Sequence, residues 1–146
     1  IMCGYLTQDY DFIKKTVEEA KGKGKMTASS SLIEGILLFS EERYEEAEAA
    51  LSASLDTGTI VAGAYYYRGL SRLAMGAYEK AAEDFTEALH WEENVYECVF
   101  NRGVCYYALG ENGKALADFR NVVDNSGDEA LEASAGELLA ALQEEA

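Results

Sequence analysis

At 146 residues the chain has the length of one domain and too little for two. Hydrophobic residues make up 49% and charged residues 27%, which allows a buried core under an ordinary soluble surface, and the absence of proline leaves glycine, serine, threonine and asparagine to make the turns. A net charge of −15 repels phosphate backbones and argues against nucleic acid as a partner, and no apolar run approaches the ~20 residues of a membrane-spanning helix.

The chain begins at Ile1 rather than methionine, as a processed or partial sequence does. Cys3-Gly4 has the look of a lipid attachment site, although Met2 in front of the cysteine does not suit that cleavage. The expected location is cytoplasmic, with an exported or membrane-anchored bacterial lipoprotein as the alternative. Cys3, Cys98 and Cys105 form an odd set without metal-ligand spacing and fit a reducing compartment. On one helix Cys98 and Cys105 stand about 10 Å apart, beyond disulfide reach.

Tyr10, Ile13, Val17 and Ala20, spaced by three and four, predict a first helix over 8–20. Lys21-Gly22-Lys23-Gly24-Lys25 then reads as a flexible turn and not a phosphate loop, since no strand precedes it. Residues 1–25 carry five lysines against four acids, whereas the remainder carries seven basic residues and 23 acidic ones. That acidic surface keeps the protein soluble, and its sharper reading is a preference for basic partners. Helix pairs are predicted at 29–40 with 43–56, 62–75 with 78–90, and 96–109 with 112–124. A final helix over 128–143 places Leu131, Ala135, Leu138 and Leu142 on one stripe, with Glu132, Glu137, Glu144 and Glu145 facing water. Such a helix caps the last open face of a stack.

An internal period of 34 residues organises these pairs. Gly35, Gly69 and Gly103 align, as do Tyr10, Tyr44 and Tyr78, with Asn112 completing the column. Ala47, Ala81 and Ala115 form another column, with Ile13 a period earlier. Phe85 and Phe119 share a column with Leu51 and Val17, Gly76 aligns with Gly110, and Arg68 aligns with Arg102. Small residues at Gly69 and Ala81 let two antiparallel helices approach while Phe85 fills the space beside them. Gly76 and Gly110 suit a left-handed turn ending the first helix of a pair.

Tyr65, Gly69, Gly76, Tyr78, Ala81, Phe85 and Ala88 resemble one unit of the tetratricopeptide repeat family. Gly103, Tyr106, Gly110, Ala115 and Phe119 resemble the next, and Gly35, Tyr44 and Ala47 a weaker earlier one. The resemblance covers about residues 28–127 and implies an all-α, right-handed superhelix of antiparallel helix pairs. It implies one domain over 1–146, with a lone helix at 8–20, repeats at 28–61, 62–95 and 96–127, and a capping helix at 128–143. The proline that closes each repeat in the family is replaced here by Thr59, Glu93 and Gly127, so looser turns are expected there. Arginine stands where leucine is common, at Arg68 and Arg102, with Asp84 and Asp118 on the facing helices. Arg68–Asp84 and Arg102–Asp118 pairs are therefore expected, while Glu34 and Ala50 deny one to the earlier repeat.

By the resemblance, the first helix of each pair lines a concave surface that binds a protein or peptide partner. The expected groove residues are Leu32, Ile36, Tyr66, Tyr67, Leu70, Phe100, Asn101 and Val104, with Phe39, Leu73 and Tyr107 beside them. Several of these side chains have packing between helices as their alternative role, Phe39 and Tyr107 foremost. Asn101 has two readings, a hydrogen bond to an extended peptide or to an internal carbonyl. Family members that grip the carboxylate tail of heat-shock chaperones do so with lysine, arginine and asparagine. The matching positions here are Leu32, Ile36, Tyr67, Glu97 and Asn101, so that tail is not expected as a partner.

No catalytic residue, cofactor or metal is expected. His90 ends a helix beside Trp91 with no serine or cysteine partner in view, and Trp91 falls where the family packs an apolar residue on the next repeat. Glu45-Glu46 and Glu92-Glu93 read as solvated helix faces. Three functions follow from the sequence: a protein-interaction scaffold, a small acidic chaperone of the type III secretion kind shielding apolar client segments, and a self-assembly module forming a homodimer through the N-terminal helix.

Overall fold

The computed structural model describes residues 2–24, 26–58, 63–92 and 94–145, with side chains described from residue 11 to residue 144 within those ranges. The helices in chain order are α1 (Met2–Gly22), α2 (Ala28–Ser40), α3 (Tyr44–Asp56), α4 (Ala64–Ala74), α5 (Tyr78–His90), α6 (Val95–Ala108), α7 (Asn112–Asn125) and α8 (Glu129–Glu145). No strand occurs among the described residues. The all-α superhelix of antiparallel pairs is the architecture observed. α1 runs beyond the expected 8–20 at both ends, because residues 2–7 contain no helix breaker except Gly4 and continue the same backbone.

Local chemistry explains where the helices stop. Thr27 caps α2, its Oγ1 accepting from Ser30 N at 3.2 Å while Ser30 Oγ accepts from Thr27 N at 2.7 Å. The turns at Gly76 and Gly110 take φ of +77° and +78°, as their glycines allow. One period earlier the same left-handed turn falls on Glu42, with φ +61°. A glutamate holding a conformation that glycine prefers explains why the first repeat is the faintest in sequence. At α8, Asp128 Oδ1 accepts from Leu131 N at 3.1 Å, and Glu132 Oε1 accepts from Gly127 N at 2.9 Å. Glu132 therefore turns back to tie the entry of α8 instead of facing water as expected. Thr59 and Glu93 lie outside the described residues.

The core is assembled from close helix approaches. A Cβ on Gly69 would lie 2.8 Å from Phe85 Cε1, one on Gly103 would lie 2.8 Å from Phe119 Cε1, and one on Gly35 would lie 2.5 Å from Leu51 Cγ. Leu51, Phe85 and Phe119 are fully buried in consequence. Each helix from α2 to α8 packs on the next in sequence, and α1 packs on α2. α2, α4, α6 and α8 also touch in succession, whereas α3, α5 and α7 do not touch one another among the described residues. A stack whose first helices meet and whose second helices splay apart must curve, with the first helices inside the bend. Ala135 and Leu142 of α8 are buried on α7, so the last open face is covered as expected.

Candidate peptide-binding face

Asp84 and Asp118 hold the pairs together from within. Asp84, 2% exposed, accepts from Arg68 Nη2 at 2.8 Å and from Arg68 Nε at 3.1 Å. Asp118 accepts from Arg102 Nε at 2.9 Å and from Arg102 Nη2 at 2.8 Å. Both predicted pairs are present. The arginines reach further than expected: Arg68 Nη1 donates to Ser52 Oγ at 3.2 Å, and Arg102 Nη1 to Thr86 Oγ1 at 3.3 Å. Each arginine thus bridges two second helices that do not touch, α3 to α5 and α5 to α7. These bridges fix the angle between successive pairs and with it the shape of the concave side.

Arg72 is a member of this lattice that the repeat columns conceal. Its Nη1 donates to Asp84 Oδ2 at 2.8 Å and its Nε to Glu48 Oε2 at 2.8 Å. One period on, the column holds Tyr106, whose ring lies under the Arg102 guanidinium at 5.8 Å and Lys114 Nζ at 5.3 Å. Burial holds the Asp84 carboxyl above the usual carboxylate range, outweighing the lowering pull of the bonds from Arg68 and Arg72.

A run of rings leads from the first helices into the core. Phe39 meets Tyr67 with centroids 6.0 Å apart, Tyr67 meets Tyr66 at 5.2 Å, and Tyr66 meets Phe85 at 6.3 Å. In the next pair Phe100 lies 5.8 Å from Phe119. Tyr66, Tyr67, Leu70, Phe100, Asn101, Val104 and Ile36 are all half-buried, and Leu32 is buried against Leu51 and Ala64. Asn101 Nδ2 donates to Glu97 O at 2.8 Å, so one amide proton serves an internal carbonyl.

A sequence model of the tetratricopeptide repeat matches residues 97–128. No curated protein matches the sequence. PcrH from Pseudomonas aeruginosa superimposes with a TM-score of 0.71 at 21% identity, over 80% of this chain and 91% of that one. The TPR domain of Arabidopsis OM64 gives a TM-score of 0.69 at 18% identity, over 77% of this chain and 93% of that one. PcrH in complex with the chaperone binding region of PopB gives 0.66 at 19% identity, over 77% and 94%.

The chain has the tetratricopeptide-repeat fold.

One side chain departs from the position that the repeat implied. Trp91 is 48% exposed instead of packing on the next repeat. It caps α5 just before the chain turns at Glu92, where φ is +56°, and its ring lies edge-on to His90 with centroids 6.4 Å apart. Tyr107, for which packing between helices was the alternative role, is 36% exposed, because α8 lies chiefly on α7 and leaves the last turn of α6 open. Cys98 and Cys105 are buried and unpaired with each other, and burial pushes the Cys105 thiol up to about 12, which keeps it protonated. The Cys3 side chain lies outside the described residues, as does that of Tyr10. Among the described residues no three metal-ligating side chains cluster.

Burial, aided by Cys98 and Glu97, also pushes the Tyr66 hydroxyl up to about 12. A phenol raised on folding contributes stability that is present below its ordinary value of about 10 and lost as pH climbs through the folded value. Denaturation midpoints of the wild type should therefore fall more steeply between about pH 10 and 12 than those of Tyr66→Phe. Equal slopes for the two proteins would remove this assignment.

Proposed function

We propose that the chain is a protein-interaction module whose concave side, formed by α2, α4 and α6, holds an extended or helical segment of another polypeptide. The single observation that supports this reading is the curvature: first helices meet in succession while second helices splay apart. On this reading Ile36, Tyr66, Tyr67, Leu70, Phe100, Asn101 and Val104 line the inside of the bend. Half-buried tyrosine suits this task, since a rigid ring offers contact area at little entropic cost and its hydroxyl remains a donor. Leu32 supports the wall from behind and does not touch the visitor. The tetratricopeptide fold is typical of interaction scaffolds, and the expectation of no catalysis belongs to the same proposal.

The test is capture of partner segments by wild type and by Tyr66→Ala/Tyr67→Ala/Phe100→Ala. Because Tyr66 also packs on Phe85, circular dichroism and a milder Tyr67→Ser/Val104→Ser pair accompany it. Binding should weaken at least about tenfold while helicity persists. Equal capture by folded variants rules out the concave side.

A second reading is favoured by the likeness to PcrH bound to the chaperone binding region of PopB. A small acidic chaperone would use the same wall to shield an apolar client segment, and would suppress aggregation of that client where a scaffold would not. No described helix is long and apolar enough to cross a membrane. A cytoplasmic location goes with both readings, and a lipid-anchored form through Cys3 is the alternative. Self-association through α1, the remaining sequence reading, would use a different face and leave the concave side open.

A further inference from the structure

α1 fits the columns of a second helix, yet no described helix stands in the first-helix place against it. One period after Ile13, Val17 and Ala20 come Ala47, Leu51 and Ser54, all fully buried in α3. The same columns are fully buried in α5 at Ala81, Phe85 and Ala88, and in α7 at Ala115, Phe119 and Val122. In α1, by contrast, Val17 is 7% exposed but Ile13 is 39% exposed and Phe12 beside it 71%. Elsewhere these columns are covered by a first helix that brings a small residue up to the large one.

One flank of α1 is fastened to the turn and body of α2, with Lys14 meeting Glu41 at 3.2 Å and Lys21 meeting Glu34 at 2.8 Å. The other flank bounds an apolar hollow of about 160 Å³ lined by Phe12, Ile13, Thr16, Val17, Ala20, Ser30 and Ile33. Its two hydroxyls are already committed. Thr16 Oγ1 donates to Phe12 O at 2.9 Å, and Ser30 Oγ donates to Thr27 O at 3.1 Å. Only apolar groups gain by entering.

The chain before α1 does not supply the cover by the route used elsewhere in the fold. Each described pair turns over three residues, at 41–43, 75–77 and 109–111. One period before the first of these turns lie Thr7, Gln8 and Asp9, all inside α1. α1 therefore runs straight through the place where a pair turns elsewhere, and no described residue covers its open flank.

We propose that α1 of a second copy covers this flank, antiparallel, about a two-fold axis close to Thr16. A two-fold contact asks each copy for a projection and a matching hollow. Phe12 is the projection, and the hollow suits a phenyl ring, since an apolar cavity of about 150 Å³ accepts benzene. In this register Phe12 of each copy meets Ala20 of the other, so Thr16 and Ala20 take the part that glycine takes within the chain. Positions 9 and 23 share the face of Thr16 at seven-residue spacing, and the register sets one copy's aspartate level with the other's lysine. This face is separate from the concave side, so the two proposals fail independently.

Light scattering from low to high micromolar concentration is expected to show the wild type rising to twice its 16.0 kDa. Phe12→Glu should stay at the single-chain mass with unchanged circular dichroism, its dissociation constant raised at least about a hundredfold. In a Cys3→Ser background, Thr16→Cys should yield a disulfide-linked dimer on mild oxidation, and Glu18→Cys, on the opposite face of α1, should not. A wild type that stays at single-chain mass throughout overturns the proposal, as does a Phe12→Glu dimer or equal cross-linking at 16 and 18.

Discussion

Phe85→Ala is expected to cost about 3–5 kcal/mol of unfolding free energy, measured by chemical denaturation at neutral pH. Phe85 is fully buried and stands where α4 approaches α5, its ring taking the volume that Gly69 leaves free. It also shares a cluster with Cys98 and Cys105 of α6, so the hole opens at the junction of the second and third pairs. In a stack where each unit contacts only its neighbours, a fault at a central junction uncouples the two ends. A broadened or two-step transition is therefore expected beside the lower midpoint. The partner experiment is Gly69→Ala, whose new Cβ would lie 2.8 Å from Phe85 Cε1. Overpacking of about 1–3 kcal/mol should outweigh the ~1 kcal/mol that alanine gains over glycine in a helix. In a Phe85→Leu background the same change should become neutral or favourable. Additive effects of the two substitutions would show that ring and glycine do not share one space.

Asp84→Ala is expected to destabilise by about 2–3 kcal/mol, and Asp118→Ala by roughly 1 kcal/mol less. Asp84 accepts from two guanidiniums and Asp118 from one. Both figures sit below the usual cost of breaking a buried pair because Arg68, Arg72 and Arg102 keep 17%, 15% and 22% exposure and retain Ser52, Glu48 and Thr86 as partners. The effect should reach beyond stability, since Arg68 links α3 to α5 and sets the angle between the first two pairs. Loss of that link should widen the small-angle scattering profile of the folded protein. If Asp118→Ala proved the costlier change, the account of Arg72 as a second partner of Asp84 would be wrong.

Much of this architecture could be read from residue columns. Glycine opposite a large apolar residue 16 positions later, at Gly69 and Phe85 and again at Gly103 and Phe119, defines a close antiparallel approach whatever the rest of the chain does. The Arg68–Asp84 and Arg102–Asp118 pairs obey the same spacing and were legible for the same reason. Arg72 was not, because its partners Glu48 and Asp84 lie on two different second helices and the column changes to Tyr106 in the next repeat. The glutamate turn at Glu42 also escaped the pattern, since a strained backbone leaves no trace in side-chain chemistry. Of the side chains expected in the groove, the sequence carried no measure of depth. Leu32 is buried against Leu51 and Ala64, whereas Tyr107 is 36% exposed where α8 lies chiefly on α7.

The sequence by itself determined a repeating unit: which helices pair, which faces they bury and which charges join them, all being contacts between residues at fixed short separations. Tertiary structure alone decided the bridges between second helices, the depth of each half-buried ring and which flank of α1 stays open. Those depend on how one unit rests on the next, where small angular choices add along the stack and no fixed spacing in the chain records them.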